Sequence, residues 1–103
     1  MQPANSHMLL KIKDFFNHYD NQTKAKMYSL LTDELSSLLE GVHLLGSEQQ
    51  TELNDLQHKF KGICRYLKIE NEIFCYDSVS KIDLLSSLYA LQNLLEEIKL
   101  ETL

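Results

Sequence analysis

His58, Lys61 and Gly62 stand within the run His58-Lys59-Phe60-Lys61-Gly62, in a segment of helical periodicity. At ~100° per residue, His58 falls roughly opposite the centre of that segment's apolar stripe, so its imidazole faces solvent. No acidic residue flanks it in sequence. An exposed imidazole nitrogen can attack phosphorus in line, and a neutral imidazole needs little activation at cellular pH. Lys61, about one turn on, is placed to neutralise phosphoryl oxygens, and Arg65 extends the positive patch toward an acidic partner. Gly62 is four residues on, along the same face. A glycine inside a helix costs roughly 1 kcal/mol against alanine. Clearance for a docking protein is a physical reason to carry it. The spacing predicts phosphate carriage on His58, with Lys61 and Gly62 in supporting roles.

The elements that must position these residues are helices. A short one is expected from about Met8 to His18, with Leu9, Ile12, Phe15 and Phe16 inward. Asp20-Asn21 offers cap chemistry for a second. There Met27, Leu30, Leu31, Leu35, Leu38, Leu39, Val42 and Leu45 recur at steps of three and four, which makes one broad apolar face. Gly46 is a stop, and Ser47 with Gln50 reads as a capping box for the third helix. That helix carries Leu53, Leu56, Phe60, Ile63, Cys64 and Leu67 inward, with Lys61, Arg65 and Lys68 clustered outward. A shorter helix is expected over about 71–76, with Ile73, Phe74 and Cys75 as apolar contacts. The last, about 81–101, turns Ile82, Leu85, Leu88, Leu91, Leu95 and Ile98 inward. The fold class that follows is all-α, an antiparallel four-helix bundle with a short additional N-terminal helix. Residues 1–8 are expected to be a disordered or cloning-derived tail, and 9–103 the helical domain.

Composition agrees. A chain of 103 residues is one domain. One proline and three glycines argue against a barrel or sandwich full of tight turns. Leucine-rich apolar content suits helices better than strands. The net charge of −5 weighs against a nucleic-acid binder. No apolar run approaches the ~20 residues that cross a bilayer, and the start does not read as a signal peptide. A cytoplasmic setting is expected, with Cys64 and Cys75 as thiols rather than a disulfide. His7, His18 and His43 have no metal-ligand spacing, and no glycine-rich phosphate loop predicts ATP binding. No cofactor is expected.

The run at 58–62 resembles the His-x-Leu/Phe-Lys-Gly motif of histidine phosphotransfer (HPt) domains of two-component phosphorelays. Helix order, motif position in the third helix and length are similar from about Leu9 to Leu100. The resemblance implies that His58 is the phosphoacceptor, Lys61 a phosphate-stabilising neighbour and Gly62 the clearance residue. It implies transfer from a phospho-aspartate on one receiver domain to an aspartate on another, without autokinase activity. The magnesium ion would belong to the receiver. Partners would be receiver domains of a hybrid kinase or response regulator, with Lys59, Arg65 and Lys68 on the docking face of a monomer. Such a domain can stand alone or form the cytoplasmic end of a hybrid sensor histidine kinase anchored in the inner membrane; the residues leave both open, and the polar start favours the second. Two departures bear on partner choice. Ile63 and Cys64 replace the usual small residues after the motif, and Lys68 stands where many members have glycine near the helix end.

Two other readings compete. A helical adaptor would keep the bundle and dock a signalling partner without phosphate chemistry. A dimeric kinase phosphoacceptor domain would also place a histidine on a helix, but typically with an acidic residue directly after it, where this chain has Lys59.

Overall fold

The computed structural model describes residues 3–46, 48–69 and 80–102. These residues form four α-helices: α1 (Pro3–Asn17), α2 (Asn21–Leu44), α3 (Gln50–Tyr66) and α4 (Lys81–Thr102). The fold is an all-α helical bundle. The short helix expected at 71–76 lies outside the described residues, as does Ser47.

α1 begins at Pro3, earlier than the expected start near Met8. Proline suits a helix's first turn because its missing N–H would have no intrahelical partner there. Met8, Ile12 and Phe16 then recur at steps of four and are buried. Met8, assigned to the tail by sequence, is thus a core residue. Leu9 and Phe15, at the margin of that stripe, are only partly buried.

Asp20 caps α2 as its position suggests. Its carboxylate accepts from Thr23 N–H at 2.7 Å, and this bond lowers the Asp20 pKa. At the other end of α2, Leu45 is the C-cap and Gly46 follows it. The Gly46 N–H donates to Gln49 Oε1 at 2.8 Å. The N-cap of α3 is Gln49, so Gln50 is the first helical residue rather than the third residue of a capping box begun at 47.

Cross-helix contacts orient the bundle. Tyr66 Oη, at the end of α3, donates to Met27 Sδ near the start of α2 at 3.8 Å. Lys81 Nζ, at the start of α4, donates to the Leu45 carbonyl at the end of α2 at 2.8 Å. Lys99, near the end of α4, lies over the Tyr28 ring in early α2. Hence α2 runs antiparallel to both α3 and α4. Burial, aided by the Glu96 charge, raises the Tyr28 pKa.

The core joins Leu35, Leu38 and Val42 of α2 to Phe60 and Cys64 of α3 and to Leu84, Leu88, Leu91, Leu95 and Ile98 of α4. Two residues expected inside are outside. Leu30 is 63 % exposed and Ile82 is 74 % exposed. Each lines a surface groove, Leu30 beside α3 and Ile82 near the α2–α3 turn. Leu84 and Leu94 of α4 take buried places instead.

Candidate functional site

α3 presents the residues at which chemistry was expected. Phe60 and Cys64 are buried behind it, and Leu53 and Leu67 anchor its two ends in the core. Anchoring on that side fixes the phase of the helix, and His58 is exposed on the other. Gly62 is also exposed. A Cβ built on it would meet nothing within 4 Å, so the surface one turn from the imidazole is open. The rise from 58 to 62 is about 6 Å. Lys61 flanks this strip and is half-buried. Ile63 is half-buried rather than fully inward, whereas Cys64 is wholly enclosed.

The residues expected to bind a partner do not share one surface. Lys59 and Gly62 open onto a groove of about 560 Å³ between α2 and α3. Its walls are mostly apolar, with Met27, Leu30, Ile63 and Tyr66 among them and Glu34 as its acid. Exposed Leu30 thus adds an aliphatic side chain to the groove that Gly62 also lines. Arg65 and Lys68 open instead onto a second groove, of about 720 Å³, that α1 completes. Tyr66, 51 % exposed, stands on the ridge between the two and lines both.

Lys68 does not extend the helix face, as its sequence position suggests. The helix ends at Tyr66, and Lys68 has φ 64°, in the left-handed region. Its N–H donates to the Arg65 carbonyl at 3.0 Å, and Ile69 N–H donates to the Cys64 carbonyl at 2.9 Å. This paired return closes the helix by a Schellman motif, with Ile69 and Cys64 both buried beneath it. Residue 68 thus sits at a position that favours glycine for conformational reasons.

Gln57 was missed by pattern reading. It directly precedes His58 and is 7 % exposed, and its Oε1 has no hydrogen-bond partner. Its angle on the helix wheel, near Phe60 and Cys64, marks it as inward; its polarity hid it from a hydrophobic count.

Among the described residues no group of three or more His, Cys, Asp or Glu sits together as a metal ion requires. No described helix is long and apolar enough to cross a membrane. No family model matches the chain, and no curated protein or solved structure matches it either.

Proposed function

We propose that the protein is a histidine phosphotransfer domain of a two-component phosphorelay, with His58 as phosphoacceptor. One observation carries this reading: His58 is solvent-exposed on a core-anchored helix, and one turn on Gly62 leaves open space where any other residue would put a side chain. In the transfer step an imidazole nitrogen lone pair attacks the phosphorus of a partner's aspartyl phosphate. The P–N bond forms as the acyl P–O bond breaks, and the electron pair leaves on the aspartate carboxylate. The reverse reaction charges the aspartate of a second receiver. Lys61, at the flank of the strip, offers its ammonium to the phosphoryl oxygens. Magnesium would be supplied by the receiver, and the chain itself needs no ATP.

The apolar groove beside Gly62 supports docking of a receiver by its apolar surface, with Lys59 at the rim for an acidic neighbour. Attachment to a membrane-anchored hybrid kinase, with this domain in the cytoplasm, belongs to the same proposal. The test is phosphotransfer from a panel of phosphorylated receiver domains to the unmodified protein and to His58→Gln. Label that appears only on the unmodified protein, lost in acid and kept in base, is the expected result. Label retained by His58→Gln overturns the assignment of the acceptor.

The groove also supports a second reading, a helical adaptor that docks its partner without phosphate. Exposed Leu30 beside Met27 and Ile63 would serve such docking equally well. His58→Gln separates the two: an adaptor keeps partner binding and signalling, whereas a carrier keeps binding and loses signalling.

A further inference from the structure

The second groove holds a combination that phosphate carriage on His58 does not use. It lies between the last two turns of α1 and the end of α3, and its lining joins aromatic rings to basic groups. Phe15 is the centre of the aromatic part. Its ring packs edge-on against Tyr66 at 5.2 Å and Tyr19 at 5.5 Å between centroids, and the three rings open into the groove together. Lys11, His18, Arg65 and Lys68 share the lining with them, and Asp14 is its acid among the described residues. In the described lining basic side chains thus outnumber acidic ones, on a chain of net charge −5.

Two details indicate that the site is organised. The His18 Nδ1–H donates to the Asp14 carbonyl at 2.8 Å, which holds the ring just past the end of α1. Lys68 keeps a long cationic side chain at a left-handed backbone position that glycine would occupy without steric cost. Basic residues at helix ends also complement the carbonyl dipoles there. That effect accounts for charge at these positions. It does not account for three aromatic rings left open among the charges.

We propose that this groove binds a small ligand of the nucleotide class, a planar aromatic ring joined to phosphate. The base would stack on the Tyr66 and Phe15 side, and the phosphates would lie among Lys68, Arg65, Lys11 and His18. The volume of about 720 Å³ is in the range of small-molecule clefts. Recognition is by side chains on two helices, without a glycine-rich loop, so this is a binding site and not a site of nucleotide hydrolysis. Because Tyr66 also lines the apolar groove beside Gly62, an occupant here touches a wall of the surface proposed for receiver docking.

The test is an NMR titration of the ¹⁵N-labelled protein at low salt with adenosine diphosphate, inorganic pyrophosphate and adenosine as separate probes. Adenosine diphosphate should give saturable shifts at Lys11, His18, Tyr66 and Lys68. Pyrophosphate and adenosine should each bind roughly tenfold more weakly, since each lacks one half of the ligand. Tyr66→Leu should bring adenosine diphosphate down to the pyrophosphate level, and Lys68→Gln should weaken both anions several-fold. Lys68 is exposed beyond the helix end, so that variant folds even if Tyr66→Leu does not. Equal binding of adenosine diphosphate and pyrophosphate would overturn the proposal and leave a patch for acidic protein segments. No saturable shift with millimolar adenosine diphosphate would overturn it as well. His58→Gln should leave the titration unchanged, so failure of phosphotransfer and failure of this site are separate results.

Discussion

Replacing Lys68 by glycine should make the protein more stable, although it removes a side chain and adds none. Lys68 sits at φ 64°, the position after the C-cap of α3. A left-handed conformation costs a residue with a Cβ roughly 1–2 kcal/mol. Glycine escapes that cost but makes the unfolded chain more flexible, which offsets roughly 0.4–1 kcal/mol. The net gain is then about 0.5–1 kcal/mol, or roughly 3–6 °C in Tm for a domain of this size. Neither hydrogen bond of the cap involves the lysine side chain, since the donors are the backbone N–H groups of Lys68 and Ile69. Lys68→Ala is the control, because alanine keeps the Cβ and therefore the strain. Thermal and urea melts followed by far-UV circular dichroism should rank glycine above lysine and alanine, with an unchanged denaturant slope. If glycine proved no more stable than alanine, residue 68 would not be left-handed and the cap geometry would be wrong. The same glycine variant should bind anions less well in the α1–α3 groove. Stability and binding are expected to move in opposite directions.

Other consequences are as direct. Phe60→Ala removes a ring that is 1 % exposed in the middle of α3 and should cost about 3–5 kcal/mol in chemical denaturation; near-neutral stability would contradict the helix phase that exposes His58. Gly62→Ala should stabilise the helix by up to about 1 kcal/mol, because the added methyl meets open space. It should nonetheless slow receiver phosphotransfer, and an unchanged rate would remove the clearance argument. The Asp20 cap predicts a pH dependence. Its pKa is lowered from the ordinary value of 3.8 by the Thr23 N–H, so its contribution is full well above 3.8 and is lost as pH falls through the lower, folded value. Asp20→Asn should flatten that part of the acid limb in a series of melts between pH 5 and pH 2, and an unchanged limb would count against the cap.

Much of the fold was legible because helix periodicity is a local property. The stripe through Leu53, Phe60, Cys64 and Leu67 needs only 3.6 residues per turn, and it predicts both a buried Phe60 and an exposed His58. The Asp20 cap is equally local, requiring one carboxylate and an N–H three residues on. The margins of each stripe were less legible. Leu30 and Ile82 have the same chemistry as their buried neighbours, and only tertiary packing leaves them at the surface. Gln57 shows the reverse, a polar residue enclosed by the surroundings of α3. The Ser47–Gln50 pattern suggested a cap two residues before the observed N-cap Gln49, whose side chain turns back to accept from Gly46 N–H.

The candidate site divides along the same line. His58, Lys61 and Gly62 lie on one helix, so their relation follows from spacing alone and the sequence by itself determined it. The grooves are different, since each needs walls from two helices far apart in the chain. That Lys59 shares a groove with Leu30, and Arg65 and Lys68 share another with Lys11 and His18, was decided only by tertiary packing. So was the left-handed turn at Lys68. Ile69 and Cys64 are both buried and joined by a backbone hydrogen bond that draws the chain back over the end of α3, and residue 68 takes the left-handed conformation this return requires.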